Sequence, residues 1–426
     1  MSVAEAPAPE ALPEVHIVPP TPRLVKVLIG LGIFAIVVFG FFTPAGKDVT
    51  FQLTLGEEAL ALPDLTLPAK ISAIVFSVIA LLGAVGALFA ARKEKPLWPY
   101  TTVFGIFFVL GFLSWAVAGN TINLVGLLQG SLLLAVPLVF GAMSGILCER
   151  AGVINIAIEG QLLTGAFMAA VVASLTQNAY LGLIAAPLGG LFIGLLLAVF
   201  AIKYWVDQVI LGVVLNVLAV GLTSFFYGRL LAPNQETWNS PPTFSPIAIP
   251  VLSDIPIIGP ILFNQNIVVY LMYVIVIVIN IALFRTKWGL RVRAVGEHPQ
   301  AADTVGINVN RVRFRNVLLG GLVAGLGGAF FTVASVGAFG KEMTAGKGFI
   351  ALAAVIFGRW KPMGALAAAL FFGFADNLQS VLSIIGTPIP SEFMLMTPYL
   401  ATLLAVAGLV GKVRAPAADG IPYKKS

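Results

Sequence analysis

Residues 285 to 315 read RTKWGLRVRAVGEHPQAADTVGINVNRVRFR, a basic stretch set between two long apolar runs. Loops rich in Lys and Arg stay on the cytoplasmic side of a membrane because their translocation is opposed during insertion. Within the stretch, Pro299 can begin a helix, Gln300 to Val305 can continue it, and Gly306 can end it. The pattern predicts a short cytoplasmic helix between two spanning helices, placed to transmit force; an ordinary solvated loop is the alternative.

The composition decides the fold class. Hydrophobic residues make up 59% of the 426 positions, charged residues only 10%, and the mean hydropathy is +0.99. Globular chains contain about 25% charged residues and lack long uninterrupted apolar runs. We therefore expect an all-α protein, a polytopic transmembrane helical bundle.

The chain carries a net charge of +6. Its basic residues lie at the ends of hydrophobic segments, where they set topology and meet anionic headgroups. The sequence therefore predicts membrane lipid, and not nucleic acid, as a partner. Cys148 is the single cysteine and the two histidines are far apart, so an intrachain disulfide is excluded and no metal site is expected.

Twelve hydrophobic segments can be recognised, on the criterion that about 20 apolar residues cross the hydrocarbon core. The first is expected to be a retained span, because a long polar tail precedes it and no small-residue cleavage site follows. The tenth is too short to span alone and is expected to be a half-helix or part of a re-entrant turn. The segments are approximately 24–43, 70–91, 100–118, 130–148, 157–176, 181–202, 208–231, 267–284, 316–337, 347–358, 363–385 and 395–411.

A cytoplasmic amino terminus makes the segments alternate and places most basic residues inside, as the charge rule requires. Two longer loops, 44–69 and 232–266, then lie outside. The second contains APNQETWNSPPTF, which suits an ordered cap, a surface for an external partner or a passive connector. Lys341 and Lys347 also fall outside, against the rule.

Polar side chains are rare within the apolar segments, and each is costly in hydrocarbon unless it faces a bundle interior or a water-filled path. Asn155 and Glu159 are four residues apart and are expected on one helical face. The others are Asn216, Asp376 and Asn377. These side chains are candidates for lining a solute pathway, or for interhelical hydrogen bonds that hold the bundle together. Their arrangement does not resemble a proton relay or a Na⁺ site.

Two further patterns bear on mechanism. LLGGLVAGLGGAFF at 318–331 has small residues spaced three or four apart, which predicts a surface for close helix packing. The chain contains no Walker A sequence. If the protein depends on nucleotide hydrolysis, the ATPase is a separate polypeptide.

Two stretches, SGILCERAGVINIAIEGQLLTGAF (144–167) and GLRVRAVGEHPQAADTVGIN (289–308), carry a resemblance. They resemble the permease subunits of bacterial ABC importers for simple sugars, branched-chain amino acids and, most closely, purine nucleosides. The similarity covers approximately residues 125–411. The pattern E-R-x-G-x-x-N-I-x-I-E-G at 149–160 is the one that points to the nucleoside branch.

In this family the element that matches GEHPQAADTVGI is the coupling helix, which docks in a groove on the ATPase subunit. Its A-A-x-x-x-G pattern falls on Ala301, Ala302 and Gly306, and the position before the pattern, often Glu in the family, is Gln300 here. The residues to which the resemblance gives an ATPase-coupling role are Gly296, Glu297, Gln300, Ala301, Ala302 and Gly306.

The resemblance implies a permease subunit that forms half of the translocation pathway for a small polar solute, a nucleoside or a simple sugar. It implies three partners in a bacterial plasma membrane: a homologous second permease, an ABC ATPase that binds ATP and Mg, and an extracytoplasmic substrate-binding lipoprotein. It implies no cofactor and no catalytic residue in this chain. The expected domains are a disordered cytoplasmic tail (1–22), an additional transmembrane hairpin (23–97), the permease domain (98–414) and a cytoplasmic tail (415–426).

Two other classes of protein are alternatives. An ion-coupled secondary transporter would work without an ATPase. A membrane-embedded enzyme is disfavoured because the sequence has no cluster of His, Cys and carboxylate residues. Among solutes, a nucleoside, a free base and a pentose each suit the few polar groups.

Overall fold

The computed structural model describes residues 22–56, 61–386, 396 and 414–424. The tail expected at 1–22 and the hydrophobic segment at 395–411 lie outside these residues, apart from Pro22 and Met396. The chain divides into two compact units, the first from residues 1–49 and 67–120 and the second from residues 50–66 and 121–426.

Helices α1 (Arg23–Phe42), α2 (Ala69–Arg92) and α3 (Trp98–Ala116) make up the first unit. Phe39 of α1 stacks on Trp115 of α3 with 5.5 Å between ring centroids. Small residues of α2 are buried between its neighbours, because close approach replaces the hydrophobic driving force that lipid does not supply. The unit includes α3 and so extends past residue 97, where the sequence places the end of the additional hairpin.

The second unit contains the remaining helices of the described chain. They are α4 (Leu124–Glu149), α5 (Ile158–Thr176), α6 (Ala179–Ala198), α7 (Gln208–Phe226), α8 (Gln235–Trp238), α9 (Ile267–Arg285), α10 (Lys287–Glu297), α11 (Pro299–Thr304), α12 (Val309–Phe331), α13 (Lys347–Phe357) and α14 (Pro362–Ile385). Helices α6, α7 and α12 each continue into one π-helical turn, at Val199–Lys203, Tyr227–Leu231 and Thr332–Val336.

Among the described residues, ten helices are long and apolar enough to cross a membrane. They coincide with the predicted segments other than the tenth and the last, so the polytopic helical fold is confirmed. Helix α13 has 11 residues and is too short to span alone, as the sequence predicts.

Helix α4 is the centre of the second unit. Within its apolar stretch 89% of the residues are buried, against 33% in α7 and 33% in α9. Helices α12, α13 and α14 pack against it. The outer helices keep large apolar side chains exposed, such as Val217 and Ile277, as is typical of helix faces that meet lipid or another membrane subunit.

Glycines bring α5, α6 and α12 into backbone contact. A β-carbon at Gly165 would lie 2.6 Å from the Cα atom of Gly325, and one at Gly325 would lie 2.9 Å from the nitrogen of Gly190. Since real β-carbons do not approach other atoms so closely, only glycine fits at this crossing. It is the packing surface that the small residues of 318–331 predict.

Five short strands occur in the described residues: β1 (Asp48–Gln52), β2 (Leu65–Pro68), β3 (Thr121–Asn123), β4 (Ile247–Ala248) and β5 (Asn264–Gln265). One sheet has the order β2-β1-β3, and in it Thr50 of β1 lies opposite Thr121 of β3 in a parallel pair. The other pairs β4 and β5 antiparallel. The sequence analysis missed these strands because they are too short to show an alternating pattern.

The glycine crossing can be tested with alanine. We expect Gly325→Ala to lower the stability of the folded chain by about 1–3 kcal/mol, because the added methyl group overpacks the crossing. Gly221 of α7 is the matched control, since no atom lies within 4 Å of the position of its β-carbon. Gly221→Ala should leave the midpoint of thermal unfolding in detergent unchanged or raise it. Equal midpoints for the two variants would contradict the proposed crossing.

Candidate functional site

The chain between α4 and α5 is a break in the helical structure. Residues 151–157 are not helical, and Gly152 has a φ of +85°, which favours glycine. Helix α5 begins only at Ile158. The expectation that Asn155 and Glu159 share one face of a helix is therefore wrong, because Asn155 lies in the break and Glu159 in the first turn of α5.

Asn155 is fully buried and ties the break to both neighbouring helices. Its Nδ2 donates to Ser144 Oγ in α4 and to Gln161 Oε1 in α5, each at 3.1 Å. Ser144 Oγ in turn donates to Gln161 Oε1 at 3.2 Å. These bonds satisfy polar groups that would be costly in an apolar interior. Ser144 and Gln161 were not singled out from the sequence, because a hydroxyl and an amide next to a helix end give no distinctive pattern.

Asn216 of α7 also binds the break and the start of α5. Its Oδ1 accepts a hydrogen bond from the Gly160 nitrogen at 2.8 Å, and its Nδ2 donates to the Ile156 oxygen at 2.9 Å. The first N–H groups of a helix have no partner within the helix, so this side chain supplies what the start of α5 lacks. The geometry agrees with the interhelical hydrogen-bonding alternative for Asn216.

Glu159 connects α5 to the start of the half-helix α13. Its Oε1 accepts from Thr344 Oγ1 at 2.7 Å and from the Gly346 nitrogen at 2.8 Å, and its Oε2 accepts from the Gly348 nitrogen at 2.6 Å. A carboxylate is favourable at a helix N-terminus because it satisfies free N–H groups and opposes the positive end of the helix dipole. Glu159 is thus the N-terminal cap of α13, supplied by another helix.

An ion pair lies beside this cap. Lys347 of α13 bonds to Asp376 of α14, and their side chains are 16% and 32% exposed. In the predicted orientation Lys347 departs from the charge rule, and its pairing with Asp376 gives a physical reason for this position. That exception was the signal in the sequence that could have identified the lysine. Asn377, next to Asp376, donates to the Leu127 oxygen of α4 at 2.7 Å.

The structure gathers the five predicted polar residues into three neighbouring groups. In the first group, Asn155 and Asn216 hold the start of α5. In the second, Glu159 and the ion pair of Lys347 with Asp376 lie at the start of α13. In the third, Asn377 joins α14 to α4. We call the first two groups together the polar centre. No group of three or more His, Cys, Asp or Glu residues that could hold a metal ion occurs in the part of the chain that the structure describes.

The second candidate region is the short helix between α10 and α12. Helix α11 begins at Pro299 and ends at Thr304, and Gly306 follows with a φ of +82°. His298 precedes it, and its Nδ1 accepts from the Ala301 nitrogen at 3.4 Å. The helix predicted from Pro299 and Gly306 is confirmed, and the solvated-loop alternative is wrong.

The two alanines of α11 face opposite ways. Ala301 is exposed, together with Gln300 and Gly306. Ala302 is 4% exposed and packs in an apolar cluster with Val295 and other side chains of this chain. Ala302 therefore seats α11 on its own subunit and is not available to another subunit, in contrast to the expectation that both alanines enter a partner groove.

Gly296 and Glu297 also make contacts within the chain. A side chain at Gly296 would meet the backbone of Arg150. Glu297 lies 3.9 Å from the Arg150 guanidinium and accepts from the Ala417 nitrogen at 3.3 Å. Arg150 Nε donates to the Trp360 oxygen at 2.9 Å. Gly296 and Glu297 thus fix α10 to Arg150, which follows the last residue of α4 and directly precedes the break.

Residues 414–424 pack against α11 and its neighbours. The sequence does not predict this contact. Arg313 of α12 is 2% exposed, and its Nη1 donates to the Ile421 oxygen at 2.7 Å. The Ala418 nitrogen donates to the Gly296 oxygen at 2.8 Å. Burial raises the pKa of the Asp419 carboxyl, and the positive charge of Arg313 opposes the shift.

A lipid-embedded helical unit with a broken polar centre, and with an exposed helix between two spans, has the structure of a transport protein. Residues 127–410 match the family described as the branched-chain amino acid transport system / permease component. The chain belongs to this family.

Three relatives from bacteria define the relationship more closely. The guanosine ABC transporter permease protein NupQ of Bacillus subtilis is 41% identical over 314 residues, which are 70% of this chain and 96% of NupQ. The nucleoside ABC transporter permease protein NupC of Lactococcus lactis is 39% identical over 326 residues, 72% of this chain and 99% of NupC. The guanosine ABC transporter permease protein NupP of Bacillus subtilis is 26% identical over 301 residues, 66% of this chain and 83% of NupP.

The chain is therefore a multi-pass membrane permease component of an ABC transporter, and not an enzyme. This assignment is favoured over the ion-coupled alternative. No solved structure matches the chain significantly.

The cap formed by Glu159 can be tested by substitution. We expect Glu159→Ala to lower the free energy of unfolding by about 3 kcal/mol or more, since it removes three hydrogen bonds to a charged group. Glu159→Gln keeps only one carbonyl oxygen and should give an intermediate loss. Thermal unfolding and assembly of the purified transporter measure both effects. Glu236→Ala, at an exposed carboxylate of α8, is the control and should match the wild type.

If Glu159→Ala leaves stability and assembly intact and reduces only transport, the carboxylate serves the solute directly and the cap is not its main role.

Proposed function

We propose that the chain forms half of the pathway by which a nucleoside is imported across a bacterial plasma membrane. The observation that carries the proposal is the polar centre, where residues of the 149–160 motif hold the start of α13. The motif belongs to the part of the chain that is similar to NupQ, which is named for guanosine, and to NupC, which is named for nucleosides. Nearly the full length of both relatives is covered, which favours a nucleoside over a simple sugar.

The solute-facing groups in this proposal are Lys347 and Asp376. They are the pair in the polar centre whose charged side chains are partly exposed. Interrupted helices commonly build transport sites, since their ends offer free backbone groups and a dipole to a solute. Nucleosides carry ribose hydroxyls that can donate to a carboxylate, and ring nitrogens and carbonyls that can accept from an ammonium group. Glu159 positions this pair by bonding the backbone on both sides of Lys347. Asn377, next to Asp376, does so by joining α14 to α4.

The proposed partners are a second permease, an ABC ATPase and an extracytoplasmic binding lipoprotein. Bacillus subtilis has two guanosine permeases, and both resemble this chain, which supports a pathway built from two different permease subunits. ATP and Mg would bind to the ATPase, because this sequence contains no Walker A motif.

Coupling to the ATPase is proposed to act through α11. The exposed side of this helix, with Gln300, Ala301 and Gly306, is the surface offered to the ATPase. Helix α10 precedes α11 and contacts Arg150 through Glu297. The break 151–157 begins directly after Arg150. A displacement of α11 can therefore reach the polar centre through continuous contacts. The ATPase can drive this change only by binding the two states of the permease differently.

The orientation follows from charge. We propose that α11 and the amino terminus are cytoplasmic and that the loop 232–266 faces outside, because the loop has no Lys or Arg and residues 285–315 have seven.

Substitution of the two alanines separates docking from folding. Ala301→Arg should leave the chain inserted and folded, but weaken its binding to the ATPase and reduce nucleoside uptake by about 10- to 100-fold, because a long side chain overpacks a protein contact. Ala302→Arg should instead reduce the amount of folded chain, since the position is buried. Copurification with the ATPase, uptake of labelled guanosine and the amount of chain in membranes measure the three effects. Normal uptake by Ala301→Arg, with the ATPase bound, would overturn the docking assignment.

Cysteine labelling tests the orientation. Cys148 is buried and should not react, so the wild-type chain gives no background. A membrane-impermeant maleimide added to intact cells should label Glu236→Cys in α8, and should label Gln300→Cys only after the membrane is permeabilised. The opposite pattern would overturn both the orientation and the coupling role of α11.

A further inference from the structure

A cavity of about 440 Å³ lies between α10 and the start of α12, next to the loop that follows α11. Three arginines line it: Arg291, Arg311 and Arg315. The lining contains no acidic residue. Within the described residues none of the three arginines forms an ion pair. The cavity thus concentrates positive charge that this part of the chain does not neutralise.

The spacing of the arginines adds to this charge. Arg311 and Arg315 are four residues apart and so lie on one face of α12, and Arg291 approaches from α10. Like charges at this spacing destabilise a helix. Guanidinium groups that converge in this way are suited to bind the oxygens of a phosphate, because each offers several N–H donors in a planar fork.

A fourth lining residue has an unused hydrogen-bond acceptor. Asn316 is fully buried, and its Nδ2 donates to the Val312 oxygen at 2.8 Å. Its Oδ1 is buried and has no hydrogen-bond partner in the structure. Buried polar atoms are nearly always paired. A hydroxyl group of a molecule that enters the cavity would satisfy this oxygen once the Asn316 side chain turns toward it. The oxygens of a phosphodiester carry no proton at neutral pH and cannot donate, so a hydroxyl beside the phosphate is required.

The level of the cavity in the membrane indicates where such a molecule comes from. The apolar part of α9 ends at Arg285, and the apolar part of α12 begins after Asn316. Trp288 of α10, a residue type enriched at membrane interfaces, also lines the cavity. The cavity therefore lies at the boundary between hydrocarbon and water, on the side of the membrane that carries α11.

We propose that this cavity binds a phosphate group with a neighbouring hydroxyl, and that an anionic phospholipid with a glycerol headgroup supplies it. The arginines bind the phosphate oxygens and Asn316 Oδ1 accepts from the glycerol hydroxyl. The lining includes Val305 and Gly306, directly after α11, so the bound headgroup fixes the junction of α11 with α12. A soluble phosphate ester with a hydroxyl, such as a nucleoside monophosphate, has the same chemistry and is the other possible source. The site is independent of the proposed solute and of its pathway.

The test uses the full chain in nanodiscs, with bound lipid counted by native mass spectrometry. One set of discs contains phosphatidylcholine alone and the other adds phosphatidylglycerol. We expect the wild-type chain to retain phosphatidylglycerol. The triple substitution Arg291→Gln, Arg311→Gln and Arg315→Gln should weaken this binding roughly a hundredfold, since each basic residue at an anionic surface contributes about a factor of five.

A matched control removes three basic residues elsewhere. Arg92, Lys93 and Lys95 are exposed and, in the proposed orientation, lie on the same side of the membrane. Replacing all three with Gln should leave phosphatidylglycerol binding unchanged. The three cavity arginines are themselves exposed at the protein surface, so we expect the triple variant to fold, and thermal unfolding in the same discs checks this.

Asn316→Leu provides a second, smaller change, which should reduce the preference for phosphatidylglycerol over phosphatidic acid and leave binding of phosphatidic acid intact.

Soluble guanosine monophosphate, added to discs of phosphatidylcholine alone, separates the two sources. Binding that the triple substitution abolishes would support the phosphate site and assign it to a cytosolic ligand. Three results would overturn the proposal: no preference of the wild-type chain for either ligand over phosphatidylcholine, unchanged binding in the triple variant, or loss of the ATPase from the triple variant with no change in bound lipid or nucleotide. The last would assign the cavity to the contact with the ATPase.

Discussion

In a membrane, a backbone N–H or C=O group that leaves the helical pattern has no water to bond, so the protein itself must supply a partner. The second unit interrupts its helices at 151–157 and again before α13, and buried side chains supply those partners. Asn216 bonds the Ile156 oxygen in the break and the Gly160 nitrogen in the first turn of α5, and Glu159 bonds the N–H groups at the start of α13. The two interruptions are thus held by side chains from other helices, and both depend on residues within or next to the 149–160 motif.

The spans could be predicted from sequence because the thickness of the hydrocarbon core fixes their length, and a run of apolar residues of that length is visible in the sequence itself. The short helices α11 and α13 could be predicted for local reasons, the first from Pro299 and Gly306 and the second from its limited apolar length. The contacts of Asn155 and Ala302 could not be predicted. Whether Asn155 lies on a helix depends on the positive φ of Gly152, and whether Ala302 faces inward depends on side chains far away in sequence, such as Tyr423. Spacing along the chain contains neither kind of information.

The basic stretch 285–315 has two roles that composition alone does not separate. Arg313 is buried and donates to the carbonyl oxygens of Ala418 and Ile421, whereas Arg311 and Arg315 line an open cavity. The difference arises because the positions alternate around α12, so one face meets the chain and another meets its surroundings. In the folded protein the same basic stretch thus supplies an internal anchor on one face of α12 and a positively charged cavity on another.

The two kinds of packing in the second unit differ in how readily they can change. The glycine crossing of α5, α6 and α12 is a contact between backbones, so sliding these helices past each other would force atoms together. The contacts of the polar centre are hydrogen bonds, each with a net value of about 0.5–1.5 kcal/mol between neutral groups and about 1.5–3 kcal/mol with a charged group. A few such bonds can be exchanged for bonds to a solute or to water at little net change in free energy. Under the proposed coupling, motion that begins at α11 should therefore leave the glycine crossing intact and be taken up at the break, where Asn155, Asn216 and Glu159 can exchange partners.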